Sequence, residues 1–390
     1  MDYYYQLVTL GDVDELSENI LDVLWRKIDE LGIAKKNFKI INEISFASYV
    51  KNCPTYCLYF GSKTGNFQSI AATEKLIQTG SLILPIFFEE NKFAIHIPKI
   101  LEKYNGFLYN NANKIESIVA LILEGWGLLR SSRKLFISYK RTESRSVAIQ
   151  LYEEFEKNGF DVFLDTHSIK PGDIFQDELW HRMTDCDVIV VLNTPNFLNS
   201  FWCKEEIAEA NGKLIGIVQL VWPNHKLENI AELCLPISLK DSDFVDKIYD
   251  DKNKSLFSDH QIDKIISNVE SVRARNLVSR QNSIINELLN TAQSMGIHLT
   301  LQPERYLSQK LSGDQDRIYI PTVGIPQSFD CNRSEELINN IAKHKVANIY
   351  LVYDHIRIRD QWLKHLAWLN DYLKVQTRQI KDVQSWLTKN

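Results

Sequence analysis

Residues 199 to 210 read NSFWCKEEIAEA and place a tryptophan, a cysteine and two adjacent glutamates on the opening turns of one predicted helix. Residues four apart lie one above the other on a helix surface, so Trp202 and Glu206 share a face. Glu205 and Glu209 make a second such pair, which reads as a solvated face. A single carboxylate beside an aromatic wall suits the stabilisation of a developing positive charge in a water-poor pocket. The same residues can also be read as a surface glutamate and a core tryptophan. Cys203 has no histidine placed near it, and a free cysteine is usually a small buried hydrophobe, so it is assigned to packing.

Ser138-Tyr139-Lys140-Arg141 is the second group able to meet a ligand. It leaves the carboxyl end of a strand in what reads as a parallel sheet, the edge where α/β folds hold ligands. The plainer reading of Lys140 and Arg141 is two exposed cations. His355, Arg357 and Arg359 follow another strand and could face an anion or form a solvated loop. Nine histidines show neither HxxxH nor HxH spacing and six cysteines show no CxxC, so no metal site is expected.

The elements that must position these groups are clearest between 134 and 250. KLFISY, DVFLD, DVIVVLN, LIGIVQLVW and CLPISL read as strands, and DVIVVLN is continuous enough for a central strand buried on both faces. ESRSVAIQLYEEFEKNG carries a helical stripe of Val147, Ala148, Leu151, Tyr152 and Phe155, closed by Asn158-Gly159. Asp173 with Gln176 makes a capping-box start for a further helix. The first 130 residues repeat this layout in YQLVTL, FKIIN, YCLYFG, SLILPIFF and GFLYN, followed by a helix in NKIESIVALILEGWGLL. Sliding 61–88 onto 193–220 sets Gly80 against Gly212 and Glu74 against Glu206, with Ile70 in place of the tryptophan. A degenerate, non-catalytic second copy is expected there. From about 252, a long helix over roughly 260–295 leads to a third α/β segment, in which Trp362, Leu366, Leu369 and Tyr372 have the helical spacing of core positions.

Hydrophobic residues at 44%, charged residues at 24% and a net charge of −5 describe a globular chain with no global signal for nucleic acid. No signal peptide or membrane span is read, and the scattered cysteines suit reduced thiols, so a cytoplasmic protein is expected.

KLFISYKRTES, FDVFLDTHSIKPGD, DVIVVLN and SFWCKEEI, in that order and spacing, resemble a TIR (Toll/interleukin-1 receptor-type) domain over residues 134 to 250, less than a third of the chain. The resemblance implies a flavodoxin-like α/β fold, a parallel sheet with helices on both faces. The expected organisation is a TIR-like α/β domain at 1–130, the TIR domain at 131–251, and at 252–390 a helical linker plus a C-terminal α/β domain for sensing or assembly. Enzymatic TIR members cleave NAD at the nicotinamide–ribose bond and carry a catalytic glutamate in a pattern resembling WCxxE, which here is Trp202, Cys203 and Glu206. By that resemblance NAD+ is a substrate, and no cofactor is expected. Glu206 is then the catalytic group, and Trp202, Ser138, Tyr139, Lys140, Arg141 and Lys170 are substrate contacts. The chemistry agrees: the leaving group is a cationic pyridinium that departs neutral without a general acid, so one carboxylate suffices where ordinary glycosidases need two.

The loop 165–173 resembles the TIR BB loop, which closes a neighbour's site during assembly. Pro171 and Gly172 would set its shape, and Lys170 stands where the animal enzyme has an acid. Self-association, an unidentified trigger ligand or protein, and a role in antiviral defence follow from the same resemblance to microbial NAD-cleaving immune effectors. The alternative is a non-catalytic TIR adaptor or scaffold. A second, shorter resemblance, of LYFGSKTGNFQSIA (58–71) to the flavodoxin phosphate loop, is set aside because a long stretch of chain precedes it here.

Overall fold

The computed structural model describes residues 4–51, 53–164, 181–197, 215–225, 235–313, 315–341, 345–354 and 358–388. The chain divides into two compact units, Met1–Ser131 and Ser132–Asn390.

In the first unit the strands are β1 (Tyr5–Gly11), β2 (Phe38–Asn42), β3 (Thr55–Phe60), β4 (Leu82–Phe87) and β5 (Phe107–Leu108). They form one parallel sheet in the order β2-β1-β3-β4-β5. Helices α1 (Glu15–Glu30), α2 (Ile70–Gln78), the single turn α3 (Phe93–His96) and α4 (Ile115–Gly125) connect or cover them. β1 and β3 are buried throughout, as expected of central parallel strands. Asp14 caps α1 by accepting the Leu16 amide at 3.0 Å. Gly11 is obligatory, since its φ is +86° and a β-carbon would lie 2.1 Å from the Phe60 carbonyl oxygen.

The second unit holds two sheets. β6 (Lys134–Ser138), β7 (Asp161–Leu164), β8 (Val188–Asn193), β9 (Gly216–Val221) and β10 (Leu235–Ser238) are all parallel, in the order β10-β9-β8-β6-β7. Numbered from its own first strand, this sheet has the order 2-1-3-4-5, the same as the first unit. The fourth strands of the two sheets, β4 and β9, overlap in the segments that the ungapped slide superimposes.

One face of the β6–β10 sheet is packed by α5 (Arg141–Lys157), through Val147, Ala148, Leu151 and Phe155, and by α6 (Asp259–Ser294), through Ile262, Ile265, Ile266, Val269 and Val272. Gly216 on β9 lets α6 approach, for a β-carbon there would sit 2.7 Å from Val272 Cγ1. The first half of α6 therefore completes the core of this sheet and is not a linker, which corrects the expectation for residues 252–295. Its second half serves the next sheet, where Gln281 Nε2 donates to the Pro321 carbonyl at 3.5 Å and Leu277, Ile284 and Leu288 are buried.

That sheet contains β11 (Thr300–Leu301), β12 (Leu307–Leu311), β13 (Gln315–Thr322), β14 (Lys345–Tyr353) and β15 (Val375–Gln379), in chain order. β11 to β13 are antiparallel, whereas β13 to β15 are parallel and are joined through α7 (Ser328–Ile341) and α8 (Asp360–Tyr372), with α9 (Val383–Thr388) at the end. On α8 only Leu366 and Leu369 are buried, and Trp362 and Tyr372, read from sequence as core, are 37% and 72% exposed. Trp362, His365, Trp368 and Tyr372 instead form a ladder of ring contacts along the helix, with centroids 5.7, 6.0 and 5.0 Å apart. No helix among the described residues is long and apolar enough to cross a membrane.

Candidate active site at the carboxyl edge of the first sheet of the second unit

β6 and β8 are neighbours in register, Ser138 opposite Val191, so the loops that follow them emerge side by side. The two loops are clamped together. Lys140 Nζ lies 3.0 Å from Glu143 Oε1 and donates to the Asn196 carbonyl at 3.1 Å. The Asn196 amide in turn donates to Glu143 Oε2 at 3.2 Å. Partial burial pushes the Glu143 carboxyl up, but hydrogen bonds with Thr194, Lys140 and Asn196 outweigh that and hold it below its ordinary value. A further carbonyl contact ties in Ser144, whose amide donates to the Lys140 carbonyl at 3.0 Å where α5 is kinked.

Of the expected contacts in this loop, Ser138 and Tyr139 are buried, and Tyr139 belongs to the apolar core that holds Val147 and Leu151. Lys140 is half-buried and already ion-paired, and Arg141 is exposed in the first turn of α5. Lys170, Pro171, Gly172, Trp202, Cys203 and Glu206 lie outside the described residues, as do His355 and Arg357. The stretch that carries Trp202 and Glu206 follows Phe197, the last described residue after β8, and so continues from the clamped loop.

Two residues that sequence reasoning passed over stand on the sheet face opposite α5. Partners in a parallel register share a face, and alternate residues along one strand do too. Ser138, Val191 and Gln219 are one such row, and Asn193 lies one step further toward the carboxyl edge on the same face. Asn193 and Gln219 are fully buried, and their side-chain amides have no hydrogen-bond partner among the described residues. Buried amides are normally satisfied, so this face offers neutral donors and acceptors to whatever covers it. The signal was present in the sequence: one Asn and one Gln inside otherwise apolar strand runs, DVIVVLN and LIGIVQLVW. Among the described residues no cluster of His, Cys, Asp or Glu could hold a metal ion.

The equivalent edge of the first unit is built differently. Ser69, at φ 58° before α2, donates its hydroxyl to Glu43 Oε2 at 2.7 Å, so a carboxylate already faces that helix start. Glu74 is exposed on α2.

A TIR domain model matches residues 135–253. Over 117 residues the chain is 28% identical to a probable 2′ cyclic ADP-D-ribose synthase of Brachypodium distachyon, covering 29% of this chain and 49% of that protein. Over 142 residues it is 25% identical to a 2′ cyclic ADP-D-ribose synthase of Bacteroides thetaiotaomicron, covering 35% of this chain and 45% of that protein. The chain thus spans about half the length of the curated relatives it matches. Among solved structures, tagatose-6-phosphate ketose/aldose isomerase from Escherichia coli aligns over 73% of this chain and 82% of its own, at 14% identity. With a TM-score of 0.21, that likeness carries no argument.

Proposed function

From the premise that this chain carries a TIR domain over residues 135–253, we propose that it cleaves the nicotinamide–ribose bond of NAD+. The observation that carries the reading is the Trp202–Glu206 pair, present in a domain whose matched relatives are named as 2′ cyclic ADP-D-ribose synthases. In the step, the bond between the ribose carbon and the nicotinamide nitrogen breaks and its electron pair goes to the nitrogen. Nicotinamide leaves neutral, and the positive charge passes to the ribose. Glu206 is the fixed anion that stabilises this charge, and Trp202 walls the ribose or base. Water then captures the ribosyl cation and releases a proton to give ADP-ribose, or a hydroxyl of the same molecule captures it to give a cyclic product. A non-catalytic scaffold would have no use for the carboxylate.

The clamp of Lys140, Glu143 and Asn196 supports the reading as a scaffold, because it fixes the loop from which the 199–210 stretch continues. Arg141, exposed in the first turn of α5, is a candidate contact for a pyrophosphate. Activity is taken to depend on self-association through the 165–173 loop, in a cytoplasmic defence role gated by a trigger.

Chromatographic measurement of nicotinamide release tests this. Glu206→Gln should lower turnover by about a hundredfold or more, the loss typical of one preorganised electrostatic group. Glu205→Gln should be nearly silent. Full turnover in folded Glu206→Gln would end the assignment.

A further inference from the structure

At the opposite, amino-terminal edge of the β6–β10 sheet lies a cavity of about 230 Å³. Lys134 and Asp161, register partners at the starts of β6 and β7, contribute to one side together with Phe163. Ile325 and Gln327, from the segment after β13, and Trp362 on α8 contribute to the other. β8 separates this cavity from the candidate active site. It runs from Val188 at the cavity end to Asn193 at the other, so the two places are about 17 Å apart at a rise of about 3.3 Å per residue.

The cavity is held open from both sides. Asp185 is buried, with one carboxylate oxygen paired to Lys134 and the other accepting the Ile325 amide at 2.8 Å. Arg280 of α6 donates to the Cys186 carbonyl at 3.0 Å and to Asp354 Oδ2 at 2.8 Å. Asp354 Oδ1 accepts the Gly324 amide at 2.9 Å. These bonds fix the 323–327 segment between the two sheets, and a preformed cavity of this kind costs a ligand little reorganisation. The segment also lies at the carboxyl end of β13, in a run of parallel strands, where α/β sheets accommodate ligands.

The lining selects a class of occupant. The Trp362 ring stacks on His181 at 5.8 Å and an interplanar angle of 23°, yet remains 37% exposed. The Arg182 guanidinium lies 5.2 Å from the Phe163 ring centre. Flat aromatic and guanidinium surfaces favour a flat ring between them. Lys134 and Arg182 are balanced by Asp161 and Asp185, so the acidic and basic side chains of the lining offset one another and give no excess of cations to favour a polyanion. The volume falls below the range of roughly 300–1,000 Å³ usual for drug-sized ligands and suits a ligand smaller than a dinucleotide. Gln327 and Asp161 supply a donor and acceptors for a polar ring edge.

We propose that this cavity is a second ligand site, which binds an uncharged nitrogen heterocycle of nucleobase or nucleoside size against Trp362.

Isothermal titration calorimetry on the full chain tests it, with adenine, adenosine, guanosine and cytidine as probes and ADP-ribose as the charged comparison. At least one neutral probe should bind saturably, adenine and adenosine together showing whether the ribose is needed. Trp362→Ala and Gln327→Ala should each weaken binding about tenfold or more, a loss of about 1.4 kcal/mol. Both residues are surface-accessible, so the fold should survive, and Gln327→Ala alone carries the test if Trp362→Ala misfolds. Glu206→Gln should bind as the unmutated chain does, which separates this site from the catalytic reading. Failure of all four neutral probes at about millimolar concentration overturns the proposal. Undiminished binding in both cavity variants, or tighter binding of ADP-ribose that those same variants weaken, does so too.

Discussion

Glu143 carries the described part of the candidate active site. Its carboxylate holds Lys140 and the Asn196 amide at once, so Glu143→Gln should loosen the loop from which the catalytic stretch continues. A misplacement of this kind should cost about tenfold in nicotinamide release, with KM changed less than kcat. Unchanged release would reduce the clamp to a surface pair. Because the Glu143 pKa is lowered in the folded chain, its contribution is complete above the ordinary carboxylate value and is lost as pH falls through the lowered one. Protection of the Asn196 amide against exchange, relative to an unstructured amide at the same pH, should therefore persist down to the ordinary carboxylate range and fall only below it, and loss of protection near neutrality would contradict the clamp. Lys140 was legible in the sequence as a cation at a strand end. Its commitment was not, because Asn196 arrives from a loop 53 residues beyond Glu143 and no local spacing reports such a meeting. Asn193 and Gln219 escaped for a related reason: a single polar residue in an apolar run has no motif, only a burial that the fold reveals.

At the scale of elements, α6 decides where the TIR domain can be cut. A chain ended after Asp251 would lose Ile262, Ile265, Val269 and Val272 from the core of the β6–β10 sheet and should aggregate or fail to fold. A soluble, cooperatively melting product from that truncation would show that α6 is dispensable. The helix is also tied to the sheet by charge. Arg273 Nε meets Asp187 Oδ2 at 2.8 Å, Glu270 pairs with Arg133 at 2.7 Å, and all four residues are buried. Arg273→Met leaves buried carboxylates under-compensated and should destabilise the second unit by about 3–5 kcal/mol, or roughly 10 °C in melting temperature. A shift of a degree or two would mean that water reaches the pair.

Strands with continuous apolar runs were readable from sequence, as β8 and β3 illustrate. β12 and β15 were not, since LSQKL and VQTRQ mix polar and apolar residues at or near the sheet margin. Trp362 and Tyr372 misled because helical spacing marks a common face without saying whether anything covers it. The first unit and the β6–β10 sheet share one strand order, which the thin sequence match between them does not by itself report. Glu74 is exposed there without a tryptophan four residues before it, so Glu74→Gln should leave the chemical step intact. Loss of nicotinamide release in that variant, with fold and assembly preserved, would reverse the reading.

For the whole molecule, the function proposed above has the active site completed by assembly through the 165–173 loop, which resembles a segment that docks on a neighbouring protomer. A site completed by a second chain makes specific activity rise with protein concentration, and exchanging both Pro171 and Gly172 for Ala should weaken that rise. The most direct measurement is nicotinamide released from NAD+ by the purified chain across a concentration series, with light scattering on the same samples. Little release is expected from monomers, with a steeper than proportional increase as assemblies form. No release from scattering-verified assemblies would contradict NAD cleavage itself, and equal specific activity in strictly monomeric samples would contradict the shared site.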